Sequence, residues 1–280
     1  MTRTIGYRCA YPIEVPVPAS FDAPARAYGP GMPAIVDTEH GVGARTYGEV
    51  LRLDELLTMQ EDIAEIPDTR FFITVHQITE LWFMVILHEL EHARSAIAAD
   101  DIREACYRLR RIARIEDVLV AQIGAIETLS PAAFAVIRGR LAASSGFQSA
   151  QFRELEFISG LKDNRYLELV EVTPAERKRL ERRLDEPSLV DVLDDLLARR
   201  GDPDLVAVTR GDGDPELLAL IEGLLDHDEG FARWRAVHAL MVERLIGYKP
   251  GTGGSSGVDY LQSTTAKRFF PQLWQIRSSL

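Results

Sequence analysis

The histidines carry the first chemical signal, because an imidazole is neutral or charged near pH 7 and is the commonest metal ligand. His88 and His92 lie in His88-Glu89-Leu90-Glu91-His92. That is the H-E-x-x-H spacing that can put two imidazoles on one helix face around zinc, with a glutamate as base. A catalytic zinc needs a third protein ligand, and none follows at a family-like spacing, so a solvated helix face is the preferred reading. His76 shares a helical face with Phe72, Thr79 and Phe83. A histidine among aromatics is either a satisfied core residue or part of a site. Arg153 sits between Phe152 and Leu155. Its forked donors could clamp a carboxylate, or it could form an internal salt bridge with Glu80, Glu154 or Glu156. The segment Gly251 to Gly257 holds four glycines and three hydroxyl residues. Such a loop can approach a bound group closely and donate hydrogen bonds to it. A plain linker is the alternative, but aromatic, apolar sequence resumes soon afterwards at Phe269, Phe270, Leu273 and Trp274.

The elements that position these residues read as helices. Phe72, Val75, Trp82, Phe83, Ile86 and Leu90 recur at helical spacing within an element from Phe71 to Arg94. A second helix is expected from Phe231 to Tyr248, carrying His238. Thr173-Pro174-Ala175-Glu176 reads as a capped helix start. Pro187-Ser188 opens another helix, which Arg200-Gly201-Asp202 ends. Alternating strand patterns and hairpin turns are nearly absent. Six prolines fall between Pro12 and Pro33, which suggests an extended arm over residues 1–45 that wraps a body or a neighbouring subunit. The expectation is all-α: a single large helical domain over 46–280 with a proline-rich N-terminal arm.

Composition narrows the function. A net charge of −11 disfavours nucleic acid or an anionic membrane surface as a partner, since phosphates require a basic face. Two cysteines, Cys9 and Cys106, are too few for a disulfide framework, and a cytoplasmic location is expected. No leader sequence is expected at the N-terminus. The most apolar window, Phe71 to Leu87, is interrupted by His76, Gln77 and Glu80, so no membrane span is expected.

Three of these stretches occur in an order that identifies a family. His76-Gln77 with Glu80-Leu81-Trp82, then Ser145-Gly146-Phe147-Gln148-Ser149-x-Gln151-Phe152-Arg153, then the Gly251 to Gly257 loop, resemble the tryptophan 2,3-dioxygenases. Weaker matches are Tyr47-Gly48-x-x-Leu51-x-Leu53-Asp54 and Pro187-Ser188-Leu189. The resemblance spans about Thr46 to the C-terminus. It implies an all-α enzyme with haem b as cofactor and O2 as co-substrate, a homotetramer in which N-terminal segments help to build a neighbour's site. It also implies roles. His238 would be the axial haem ligand, with Gly253 and Ser255 beside the cofactor. His76 would be the catalytic residue opposite, accepting the indole N–H. Phe72 would stack on the indole, Arg153 would hold the carboxylate, Thr252 would hold the ammonium or carboxylate end, and Tyr47 would line the pocket. Val50 and Thr79 stand where many members carry tyrosine. Those departures keep open a tailoring monooxygenase acting on tryptophan or a methylated tryptophan to give a 2-oxindole.

Overall fold

The computed structural model describes residues 45–60, 66–141, 144–252 and 254–280. Among them the regular structure is helical and no strand occurs. The chain divides into two units, residues 1–56 and 57–280, a division further along than residue 45. In the first unit, Thr46 and Glu49 form a reciprocal capping box that starts α1 (Tyr47–Leu51). Arg52 turns the chain through the left-handed region into α2 (Leu53–Leu56). The proline-rich stretch, with Cys9 and His40, lies outside the described residues.

The second unit is organised on three long helices. α3 (Asp68–Ala98) reaches α4 (Ile102–Ile126) through a tight turn in which Asp101 caps the new helix. α5 (Pro131–Leu141) follows, then α6 (Ala150–Ser159), started by the Ser149 hydroxyl. The short α7 (Tyr166–Leu169) precedes α8 (Pro174–Asp185), whose Thr173–Glu176 capping box is the one expected. Ser188 caps α9 (Leu189–Arg199) and Asp204 caps α10 (Leu205–Arg210). The helix that carries His238, α11 (Pro215–Ile246), begins well before the expected Phe231. Its true start is Asp214-Pro215, an N-cap followed by proline at the first helical position. Two small helices, α12 (Val258–Thr264) and α13 (Pro271–Ile276), close the chain.

Register follows from the side chains that meet. Gln122 on α4 donates to the Val75 carbonyl, and Arg111 on α4 to Glu89, so α3 and α4 are antiparallel. Leu109 faces Gly223, Glu116 faces His227 and Asp117 faces Arg233, so α4 and α11 run the same way. The N-terminal part of α3 and the C-terminal part of α11 therefore share one end of the bundle. The main core, with Ile86, Leu90, Ile97, Ile112, Leu220 and Leu224 fully enclosed, fills the space between these helices.

By length and composition α3 is apolar enough to cross a membrane, in spite of His76, Gln77 and Glu80. One face of it is core: Ile86, Leu90, Ala93 and Ile97 have no accessible surface. Ile78, Leu81 and Met84 on another face are exposed.

The approach of α11 to α4 is close. A Cβ added at Gly230 would stand 2.2 Å from Glu116 Oε2, and one at Gly223 would stand 3.2 Å from Leu109. Glu116 cannot retreat, because its other oxygen lies 2.6 Å from His227 Nδ1 inside the core. Gly230→Ala is therefore expected to cost about 1–3 kcal/mol, the range for overpacking a fixed site. A denaturant midpoint indistinguishable from wild type would show that the helices can separate at no cost.

Candidate functional site

His76 and His238 are brought to the same end of the bundle by the antiparallel run of α3 and α11. His76 Nδ1 lies 2.8 Å from the Phe72 carbonyl. A carbonyl only accepts, so Nδ1 carries the proton and Nε2 is left with its lone pair. Burial lowers the His76 pKa, against the Phe72 carbonyl and Glu80, which favour the charged form. His238 is lowered to about 4, first by burial and then by His76. Both rings are thus neutral at pH 7. They also keep accessible surface, His76 more than His238, although protein surrounds them. His76 is exposed and His238 half-buried, so each ring keeps a face open to a ligand. Among the described residues neither nitrogen of His238 makes a hydrogen bond, so its lone pair is free for a ligand.

Phe72 lies against His76, ring centroids 4.1 Å apart, and Phe134 of α5 lies 5.9 Å from Phe72. Phe134 is also part of the wall of a cavity of about 300 Å³. Its other lining includes Arg138, Leu245, Ile246, Lys249 and Thr252. That volume is at the lower end of small-molecule sites. Three polar side chains line it, Arg138, Lys249 and Thr252. Arg138 donates through Nη2 to the Pro250 carbonyl, which leaves its other donors for a ligand. The Thr252 hydroxyl donates to the Ser144 carbonyl at 2.9 Å, so its oxygen can still accept. The start of the Gly/Ser loop is thereby fastened to the segment after α5. Gly251 N–H bonds the Ser255 carbonyl, and Gly257 takes a positive φ where a Cβ would meet the Lys249 carbonyl at 2.3 Å. Of the expected loop residues, Thr252 lines the cavity and Ser255 bonds within the loop, its hydroxyl accepting from Gly257 N–H. Gly253 lies outside the described residues.

Arg153 is placed elsewhere. It is 6% exposed and paired with Glu156, which also receives Arg235 at 3.0 Å. Its Nη2 donates to the Tyr260 hydroxyl, and its guanidinium lies 4.5 Å from the Tyr166 ring centroid. The salt bridge of Arg153 is made with Glu156, and its Nε, buried without a partner among the described residues, leaves a donor for a ligand as well. The guanidinium at the cavity is Arg138, which sequence reasoning passed over. With Arg140 beside it in the last turn of a helix, it looks like ordinary positive charge at a helix C-terminus. Its signal was the i, i+4 spacing from Phe134, one turn before the Ser-Ser-Gly break. Tyr47, on α1 of the other unit, is exposed.

The zinc motif is otherwise occupied. Glu89 is buried and held by Arg108 and Arg111, so it is no free base. His88 and His92 stand 4.5 Å apart on the exposed side of α3, and no third metal-binding group joins them among the described residues. His227 lies between Glu116 and Ser159, whose Oγ is 2.9 Å from Nε2. That is the composition of a hydrolytic triad, but all three are sealed from solvent and serve packing.

Arg153→Leu is expected to lower stability by about 3 kcal/mol, because Glu156 stays buried with one cation fewer. Binding of a carboxylate ligand by the folded fraction is expected to weaken with it. Unchanged affinity in folded protein would leave Arg153 with the salt bridge alone.

The comparisons with known proteins agree on one family. The family model described as tryptophan 2,3-dioxygenase matches residues 34–207 and 205–280. A tryptophan 2,3-dioxygenase of Nocardioides sp. is 47% identical over 252 residues, covering 84% of this chain and 94% of the relative. Enzymes of the same name from Herpetosiphon aurantiacus (42% over 259 residues, 85% and 99% covered) and Caulobacter vibrioides (40% over 261 residues, 84% and 98% covered) match in the same way. With its helical fold and with matches over most of its length, the chain belongs to the tryptophan 2,3-dioxygenase family.

Proposed function

We propose that this chain inserts both atoms of O2 across the indole C2–C3 bond of L-tryptophan, giving N-formylkynurenine. The observation that carries the reading is the pair of neutral histidines, His76 on α3 and His238 on α11, brought to one end of the bundle. His238 fits an axial haem ligand, since its imidazole is uncharged and its nitrogens are unclaimed among the described residues. Haem, when bound, supplies the iron that binds and activates O2. Everything else falls to the protein. His76 Nε2 accepts the indole N–H and so fixes the ring plane, and Phe72 packs against it. Arg153 receives the carboxylate, a role supported by its buried Nε, which has no partner among the described residues. Thr252 accepts from the ammonium, its own proton being committed to Ser144. The Gly/Ser loop, with Gly253 and Ser255, covers the site and excludes water. Tyr47 would complete the pocket of a neighbouring subunit.

The same reading makes the enzyme a cytoplasmic homotetramer, with residues 1–45 as a contacting arm. The exposed apolar stripe Ile78, Leu81 and Met84 supports assembly through α3. Ring opening takes precedence over single-oxygen tailoring because the relatives carry the dioxygenase name.

Reduced, haem-loaded protein given L-tryptophan under labelled O2 is expected to release one product carrying two labelled oxygens. A single label would favour the 2-oxindole reaction instead. In folded Arg153→Leu, L-tryptophan binding is expected to weaken by about 2–4 kcal/mol, the cost of a desolvated carboxylate left unpaired. Tryptamine, which lacks that carboxylate, should bind the variant as it binds wild type. Equal losses for both ligands would mean that Arg153 acts only by holding Glu156 and Tyr260.

A further inference from the structure

We infer that Trp234 is a positioning residue for His238: its indole holds the imidazole plane, and so sets how the axial nitrogen meets the iron. This rests on the haem reading above. Trp234 precedes His238 by one turn on α11, so the two side chains share a face. Their rings are parallel, 4° apart in plane with centroids 5.0 Å apart, which is an offset stack. The second torsion of a histidine is soft, with a broad, roughly two-fold profile. An axial histidine is usually held against that freedom by a hydrogen bond from its second nitrogen. Here no such bond exists among the described residues, and the stack is the constraint present.

The indole can hold a plane because it is itself held. Phe83 of α3 meets it edge-on at 6.0 Å. Phe152 of α6 lies at 5.3 Å, and Phe231, on α11, at 6.4 Å. Trp234 packs against both the main core and the smaller apolar cluster around Phe72, Ile137 and Met241. The positions of three helices are thus transmitted to one imidazole.

The test uses the full chain loaded with haem, comparing wild type with Trp234→Leu, Trp234→Met and Trp234→Phe. The readouts are the iron–histidine stretching band of the ferrous form, the linewidth of the ferric electron paramagnetic resonance signal, and haem transfer to excess apomyoglobin. The two aliphatic variants are expected to broaden the band and the signal, and to release haem about three- to tenfold faster, the scale of one aromatic pair. Trp234→Phe, which keeps a ring in place, should fall between them and wild type. If either folded aliphatic variant matches wild type in band shape and release rate, the inference is overturned. If wild type itself shows no histidine-ligated haem, the haem reading fails first, a separable result.

Discussion

The structure depends on how closely α11 lies along α4. Two helices approach to backbone contact only where small residues face the neighbour, and Gly223 and Gly230 provide those places. Glu116 then reaches His227 across the gap, and His227 reaches Ser159 on α6. Three elements are joined at one buried point that tolerates neither a methyl group nor a shift. His238 lies eleven residues beyond His227, about three helical turns, so it projects from nearly the same face. A registration fixed at His227 is therefore carried along a straight helix to the candidate site.

Burial has opposite consequences for the charged groups and the imidazoles. Several buried arginines and carboxylates inside the unit share partners: Glu156 with Arg153 and Arg235, Glu154 with Arg179 and Arg183. A buried ion with several partners recovers much of its lost hydration, and removing one partner costs more than the pair contributes. His76 and His238 have no anion in direct contact among the described residues, so the same burial discharges them. Neutrality is what an iron ligand and an acceptor for an indole N–H both require. The end of the bundle that lacks carboxylate partners is thus suited to a cofactor and an aromatic substrate.

Helical class and the capped starts at Thr173 and Ser188 were legible because each rests on local spacing and capping chemistry, whereas α3 extends three residues before the expected Phe71 and four beyond Arg94, with no side-chain cap to mark its start. The start of α11 was not. Gly223 and Gly230 are the contact surface of α11 towards α4, which only the partner helix shows. The histidines were found as residue types at a helical period; that both become neutral depends on enclosure, which no spacing encodes. Arg153 and Arg138 show the limit most clearly. Each is an arginine among apolar residues, and the choice between a salt bridge and a ligand clamp is decided by what α12 and the loop after α11 bring opposite.

The two arginines are nonetheless parts of one arrangement. Arg138 and Ser144 fasten the first residues of the Gly/Ser loop through Pro250 and Thr252. Arg153 fastens the helix that follows it, through the Tyr260 hydroxyl, and the Phe147 ring meets Tyr260 edge-on at 5.2 Å. Glycines between two fixed ends cannot wander far, since the entropy of a short tethered loop is small. Yet they can change φ and ψ at little cost. Within the loop, Gly251 N–H on the Ser255 carbonyl and Gly257 N–H on the Ser255 hydroxyl draw the two ends together. The buried pair of Arg153 and Glu156, through Tyr260, thus helps to set where the helix after the loop begins.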